Sequence, residues 1–378
     1  MSAQSEPAAL RIRAFARERW GRREWSLGHR PGLDGLRAIA VLLVMGAHAK
    51  VSGFIYAGQS GVIMFFALSG FLITTLLVEE GRATGRFSLI RFYLRRALRL
   101  LPALAVMVLV VSIADRALHH PNWKLDAVAV AFYFANWLKV TGAQMGPLDH
   151  TWTLAVEEQF YLLWPVLLLV LLRTRIPAQI TLAVAVASFL WAVVLWNMGG
   201  TTRVYFGTDT RVGSIFLGAV VGLMIARGRR LWVPTPVAVI AALTIVVLFE
   251  FVNTPTSSDL LDPPLVTIAM LLLIAWVVDG PHRSPLSWAP LVGIGRISYG
   301  VYLWHQPIFV LLGPRLAFLP FALNVVVLFT LSIGTAMVSY RVIEQPFLRL
   351  KDTRWTSRRT RIPEQELAEQ ELTSPSVT

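Results

Sequence analysis

Long apolar stretches recur along most of this chain, and they constrain its fold more than any other feature. A helix needs about 20 mainly apolar residues to cross a bilayer. Ten such stretches cover residues 36–52, 61–78, 98–114, 153–172, 178–197, 210–226, 235–252, 264–279, 291–313 and 319–345. Only 15% of the residues are charged, against about 25% in soluble domains. The sequence therefore predicts an all-α polytopic membrane protein.

An eleventh, weaker stretch covers residues 127–140, and it is short for a span. Cytoplasmic loops of membrane proteins carry an excess of lysine and arginine. If this stretch does not cross, 25 of the 35 Lys and Arg residues lie on the side of the N-terminus. If it does cross, every later loop changes sides and the bias largely disappears. We therefore predict ten spans with both termini in the cytoplasm, and a re-entrant or interfacial segment at 127–140.

The rest of the composition excludes several classes of function. The formal net charge is +13, but the basic residues lie at the ends of apolar stretches, which argues against nucleic-acid binding. The chain has no cysteine, which excludes thiolate nucleophiles, disulfides and Cys-ligated metals, and we predict no metal site. We divide the chain into a basic tail (1–30), a transmembrane domain (31–350) and a polar tail expected to be disordered (351–378).

Ionisable residues within the predicted spans are candidates for function, because charge is costly in a bilayer. In the first span, Arg37 and His48 are eleven residues apart, which places them on one helix face about 16 Å apart. The fourth span carries the adjacent carboxylates Glu157 and Glu158, which we expect at the depth of His48. The alternative for His48 is a structural histidine at the end of a helix. The alternative for Glu157 and Glu158 is a structural ion pair with an arginine of another span.

The remaining candidates lie in later spans and in one loop. His305 lies in the outer half of the ninth span. The basic candidates near the cytoplasm are Arg95, Arg96, Arg99, Arg296 and Arg341. An alternative explanation for Arg95, Arg96 and Arg99 is that their charges only fix the orientation of the protein in the membrane. Cations towards the cytoplasm and acid–base groups towards the outside would suit an elongated ligand with phosphates at its cytoplasmic end.

Short motifs in a fixed order accompany these residues. Arg37 and His48 form an Arg-x10-His pattern, preceded by Leu33-Asp34-Gly35-Leu36. The other motifs are 65–73 (FFALSGFLI), 95–102 (RRALRLLP), 150–165 with its EEQFY run, 297–305 and 344–347 (EQPF). From about residue 31 to 350, this ordered set resembles the acyltransferase-3 family of integral membrane acyltransferases.

The resemblance implies an enzyme of a bacterial inner membrane that transfers an acyl group, often acetyl, from acyl-CoA to a hydroxyl. Acceptors in the family include surface polysaccharides, glycolipids and glycosylated natural products. Acyl-CoA is a co-substrate, and we expect no permanently bound cofactor. Some relatives carry a fused extracytoplasmic SGNH-type esterase domain, but this sequence has no Gly-Asp-Ser segment. We therefore expect a stand-alone form, acting alone or with a separate extracytoplasmic partner.

The resemblance and the span geometry together imply how the donor is held. Arg37, with help from Arg95, Arg96 or Arg99, would bind the phosphates or the pantetheine arm of acyl-CoA near the cytoplasm. Arg296 and Arg341 are further candidates for this role. The extended arm would then carry the thioester about three helical turns along the first span.

The same reasoning assigns acid–base roles near the thioester. His48 would be the general base on the acceptor hydroxyl, because neutral imidazole suits this task near pH 7. Glu157 or Glu158 would orient His48, as the carboxylate does in a catalytic triad. His305 would bind the acceptor or serve as a second acid or base. Direct transfer is the simplest mechanism, and an acyl-histidine intermediate is the alternative.

Two other classes of function compete with an acyltransferase. A transporter or flippase of a lipid- or sugar-linked substrate would use the buried Arg, Glu and His residues as a substrate or proton path. Two related halves with matching Gly- or Pro-broken helices would indicate transport, and the sequence shows none. The third interpretation is a scaffold whose polar residues only join helices.

Overall fold

The structure is a computed structural model that describes residues 26–54, 56–84, 88–251, 257–280 and 284–349. Within these ranges the regular secondary structure is entirely helical. The predicted all-α polytopic membrane class is therefore confirmed. The tails up to residue 25 and from residue 350 lie outside the described residues, so what the sequence predicts for them stays a prediction.

Fourteen α-helices make up the described chain. They are α1 (Pro31–His48), α2 (Ala57–Thr84), α3 (Leu89–Ala117), α4 (Trp123–Ala131), α5 (Ala135–Val140), α6 (Trp152–Leu171), α7 (Pro177–Asn197), α8 (Thr201–Phe206), α9 (Thr208–Ala226), α10 (Thr235–Phe251), α11 (Asp262–Asp279), α12 (Ala289–Arg296), α13 (Ser298–Leu312) and α14 (Phe321–Ser339). Single 3-10 turns lie at Gly146–Thr151, Pro285–Ser287 and Pro314–Leu316, and π turns at Ser257–Leu261 and Tyr340–Glu344. Seven helices of this part of the chain are long and apolar enough to cross a membrane.

Most of the predicted spans correspond to single helices. The exception is the ninth, 291–313, which is divided into α12 and α13 at Ile297. Residues 127–140 fall mostly in α4 and α5, which have nine and six residues. Neither helix is long enough to cross a bilayer, as the sequence predicts for this stretch.

Helix α2 lies at the centre of the bundle. In an apolar 18-residue segment of α2, 72% of the residues are buried. In the corresponding segment of Phe321–Arg349, which begins with α14, only 17% are buried. Helix α2 packs against α1, α6, α9 and α11. Exposed apolar side chains instead cover α7, α10 and α14, including Leu190 (62% exposed), Ile240 (62%) and Val338 (61%). These outer helices present the surface that suits contact with lipid.

Glycines allow α2 to approach its neighbours closely. A Cβ atom at Gly70 would lie 1.8 Å from the carbonyl oxygen of Ile215, and one at Gly218 would lie 2.0 Å from that of Ala67. On the side of α1, a Cβ atom at Gly61 would lie 2.5 Å from a backbone oxygen. Small residues at helix contacts in membranes let backbones come together. The position of α2 between α1 and α9 therefore depends on these glycines.

Gly70→Ala should destabilise the folded protein by about 1–3 kcal/mol or more, as overpacking does in tightly packed cores. The added methyl group would meet the backbone of α9, which can move aside only if the two helices separate. The thermal midpoint of the detergent-solubilised protein measures this loss. Gly334→Ala is the matched control, because no atom lies within 4 Å of a Cβ at that position. An unchanged midpoint for Gly70→Ala would contradict the close contact of α2 and α9.

Candidate active site

A cavity of about 140 Å³ lies between α1, α2, α3, α6 and α13. We call it the arginine cavity, because Arg37, Arg96 and Arg99 line it together with Glu157 and Glu158. Aromatic and aliphatic side chains of α2 and α13 complete its wall. The bundle thus encloses a strongly charged space within an apolar surrounding.

Arg37 reaches this cavity from α1. Its Nε donates a hydrogen bond to Ser298 Oγ at 3.1 Å. Ser298 is the first residue of α13 and directly follows the break at Ile297. The interruption of the predicted ninth span therefore places a hydroxyl beside the guanidinium. Because a guanidinium carries five N–H donors, Arg37 keeps donors for a ligand.

The two adjacent carboxylates of α6 both have partners in the arginine cavity. Glu158 Oε1 accepts from Arg96 Nε at 3.3 Å and from Arg96 Nη2 at 3.0 Å. The same guanidinium lies 3.1 Å from the ring centre of Tyr161. Glu157 accepts from Ser69 Oγ at 3.0 Å and from the Tyr161 hydroxyl at 3.4 Å. The ion-pair interpretation of these carboxylates therefore applies to Glu158.

The arginine cavity has a surplus of positive charge. Of its guanidinium groups, only that of Arg96 forms a salt bridge with a carboxylate of the described residues. Arg37 and Arg99 line the same space without such a pair. Because cations are costly inside a membrane, the cavity suits an anionic ligand. Guanidinium donors match the geometry of phosphate in particular.

Three of the arginines predicted to bind the donor are not among the described residues that line this cavity. Arg95 pairs with a carboxylate of α2 at 2.5 Å, because its side chain projects about 100° away from that of Arg96 around α3. Arg296 is 59% exposed and lies 3.8 Å from a carboxylate of α1. Arg341 is exposed on the π turn after α14. The position of an arginine along the chain does not show in which direction its side chain projects from the helix.

His48 and His150 line a second cavity of about 590 Å³, which we call the histidine cavity, and His305 lies behind them. His48, the last residue of α1, is exposed to it, whereas His150 and His305 are buried. The rings of His48 and His305 stack with 5.1 Å between their centres. His150 meets the ring of His305 edge-on at 5.2 Å. Three histidines from different elements therefore form one cluster.

Hydrogen bonds determine which ring nitrogens of this cluster carry protons. His305 Nδ1 lies 2.6 Å from the carbonyl oxygen of Tyr302, and a carbonyl only accepts, so Nδ1 is protonated. Burial favours the neutral form of His305, so its Nε2 is an acceptor. His48 Nδ1 lies 2.8 Å from that Nε2 and donates to it. The Nε2 lone pair of His48 is then free to accept a proton.

The predicted partner of His48 is wrong. The sequence predicts that Glu157 or Glu158 orients His48, but both carboxylates line the arginine cavity instead. Helix α6 begins at Trp152, so Glu157 lies about 7 Å further along the helix axis, beyond the depth expected for it. His305, predicted as a second acid–base or acceptor-binding residue, contacts His48 from α13.

Sequence reasoning missed the residues in the turn Gly146–Thr151. Asp149 lines the histidine cavity and accepts from Lys139 Nζ at 2.8 Å. His150 lines the same cavity. The available signal was the place of His150 at the head of the motif 150–165. His150 precedes the predicted span 153–172, so the criterion of charge within a span does not select it.

Comparison with known proteins identifies the family. The family model described as an acyltransferase domain matches residues 30–341. The chain belongs to the acyltransferase-3 family. The match includes every described residue that lines the arginine and histidine cavities, so both cavities are part of the acyltransferase-3 domain.

Curated relatives of this acyltransferase-3 chain are named as O-acetyltransferases. The O-acetyltransferase OatA of Staphylococcus aureus (strain NCTC 8325) is 32% identical over 346 residues, which cover 84% of this chain and 57% of the relative. A second S. aureus protein (strain MRSA252), provisionally named an O-acetyltransferase, is 34% identical over 371 residues, covering 86% and 59%. The chain thus spans about three-fifths of the length of these relatives. No solved structure matches it.

The histidine cluster of this acyltransferase-3 domain predicts tautomers that nitrogen-15 NMR of labelled histidine can measure. His48 should have a protonated Nδ1 and an unprotonated Nε2, because Nδ1 donates to His305. His305→Ala should remove this preference and shift His48 towards the Nε2–H tautomer that predominates in free imidazole. The exposed His119 provides the control, since His119→Asn should leave the His48 signals unchanged. A protonated Nε2 on neutral His48 in the unsubstituted protein would contradict the assignment.

Proposed function

We propose that this chain transfers an acyl group, in the simplest case acetyl, from acyl-CoA to a hydroxyl of a carbohydrate, glycolipid or glycosylated natural product. The observation that carries the proposal is an arginine-lined cavity adjoining a cavity in which His48 has a free Nε2. The O-acetyltransferase names of the relatives support acetyl as the transferred group.

The arginine cavity suits the donor. Arg37 and Arg99, which have no salt bridge to a described carboxylate, would bind phosphate oxygens of acyl-CoA. Arg96, paired with Glu158 at 3.0 Å, would add positive charge in a fixed position. Along α1, Arg37 and His48 are separated by about 16 Å, a distance that an extended pantetheine arm can bridge. The arm would thus bring the thioester towards His48.

The chemistry follows from the state of His48. Its Nε2 takes the proton of the acceptor hydroxyl while the hydroxyl oxygen attacks the thioester carbonyl carbon. A C–O bond forms, the C–S bond breaks, and the proton passes from His48 to the leaving sulfur, which yields an ester and free CoA. The hydrogen bond from His48 Nδ1 to His305 holds the ring in place and stabilises the imidazolium. His305 therefore takes the orienting role that a carboxylate has in a catalytic triad.

The histidine cavity suits a hydroxyl-rich acceptor. Its aromatic wall includes Tyr56, Trp152 and Tyr205, whose rings can stack on the apolar faces of sugar rings. Gln59 and Asp149 add an amide and a carboxylate, which bind hydroxyl groups. These side chains surround the space in front of His48, so an acceptor bound there lies next to the base.

We place the arginine cavity on the cytoplasmic side of a bacterial inner membrane, together with both termini. Cytoplasmic acyl-CoA would then reach the arginines directly. This orientation is supported by the positive charges, because the predicted topology has 25 of the 35 Lys and Arg residues on the side of the N-terminus. The histidine cavity would then receive its acceptor from the outside, directly or from a separate extracytoplasmic partner.

His48→Ala should lower acyl transfer by about 10²–10⁴-fold, the usual contribution of a general base. Protein in nanodiscs is supplied with acetyl-CoA and a panel of soluble glycans, and free CoA is measured with a thiol reagent. Because the chain has no cysteine, it adds no background, and mass spectrometry detects the ester. His119→Asn should keep full turnover. Retained turnover in His48→Ala would refute the assignment, and substrate flux without CoA release would favour transport.

Arg37→Gln should raise the KM for acetyl-CoA about tenfold or more, because a charge-assisted hydrogen bond contributes about 1.5–3 kcal/mol and 1.4 kcal/mol corresponds to tenfold in affinity. Arg296→Gln should change this KM less than twofold, since Arg296 is exposed outside the cavity. Initial rates over a range of acetyl-CoA concentrations provide both values. Equal effects of the two substitutions would contradict the location proposed for the donor phosphates.

A further inference from the structure

The arginine cavity and the histidine cavity share two lining side chains. Val62 of α2 and Tyr302 of α13 are the residues, within the described ranges, that line both. They mark the boundary of the two cavities, which we call the passage, and an acyl group that moves from the arginine cavity to His48 would pass beside them. The width of this passage depends on how far each of the two side chains can move.

Tyr302 is held in place from several sides. Its side chain is 6% exposed, and its hydroxyl lies 2.6 Å from Thr153 Oγ1 and donates to the carbonyl oxygen of His150 at 3.0 Å. Its ring centre lies 5.4 Å from that of His305 and 6.0 Å from that of Phe65. Moving the ring would leave buried polar groups unpaired, which is costly. Tyr302 is therefore the rigid side of the passage.

The backbone that carries Val62 is also held in place. A Cβ atom at Gly58 would lie 2.8 Å from the Cβ of Ala47, and one at Gly61 would lie 2.5 Å from the carbonyl oxygen of Ala40. At this level α2 is packed directly against α1, so the helix cannot shift towards α1. A valine in a helix also has one strongly preferred χ1 rotamer. The size of the side chain at position 62 therefore sets the width of the passage.

We propose that Val62 selects the length of the acyl chain. Opposite Tyr302, it admits acetyl to His48 and hinders longer acyl groups. This inference rests on the proposed function, because it states which acyl-CoA donors the same site accepts. Enzyme pockets discriminate one methylene by about 10–200-fold, so a passage one side chain wide is sufficient to set donor choice.

Donor selectivity of Val62 variants tests the inference. Protein in nanodiscs receives acetyl-, propionyl- or butyryl-CoA with one acceptor, and the ratio of kcat/KM for butyryl-CoA to that for acetyl-CoA is measured. Val62→Ala removes two methyl groups and should raise this ratio at least tenfold. Val62→Phe should lower transfer from acetyl-CoA at least tenfold. The ratio compares two donors that share the CoA moiety, so a change in CoA affinity cancels in it. For Val62→Phe, calorimetry with CoA that carries no acyl group should show a smaller loss of affinity than the loss of transfer.

Val338→Ala is the matched control, since the same chemical change lies on the outer surface of α14, where Val338 is 61% exposed. It should leave the donor ratio unchanged, and thermal midpoints confirm that all variants fold. A butyryl-to-acetyl ratio that does not rise in Val62→Ala, or full acetyl transfer in Val62→Phe, overturns the inference. If the unsubstituted protein transfers from none of the three donors, the proposed function fails instead.

Discussion

The close contact of α2 with α1 and α9 is the constraint on which the rest of the structure depends. At Gly70 and Gly218 the helix backbones meet with no side chain between them. Lipid tails are as apolar as the helix surfaces, so packing rather than the hydrophobic effect must hold such helices together. Because α2 is held on two sides, its remaining face can line two cavities that the bundle leaves open. The donor and the acceptor would then meet along one rigid helix.

Electrostatics divides the charged residues of the bundle into structural and functional groups. Arg96 with Glu158 and Arg211 with Asp259 form ion pairs at 3.0 and 3.1 Å, which compensate charges that would otherwise be costly in the bilayer. Among the described residues Arg37 has no carboxylate partner, so an anionic ligand would compensate its charge. The histidine cluster is different, because its members contact one another through a hydrogen bond and ring packing rather than through a salt bridge.

Apolar length indicates most of the helices, and the depth of charged residues is the reason why Arg37, His48 and His305 are candidates. Hydropathy averages over residues, so it could not show that the ninth span breaks at Ile297 and places a hydroxyl beside Arg37. It also carries no information on rotation about a helix axis. For this reason the sequence predicts Arg95 and Arg296 as donor ligands, although each pairs with a carboxylate and neither lines the arginine cavity.

Local sequence is sufficient for the all-α membrane class and for the shared face of Arg37 and His48, because both follow from apolar length and helical periodicity. The family motifs, in their order along the chain, add the chemistry. The partners of these residues come from helices distant in sequence: His305 beside His48, and Val62 with Tyr302 between the cavities. Such contacts depend on the tilt and rotation of each packed helix, which no local pattern encodes.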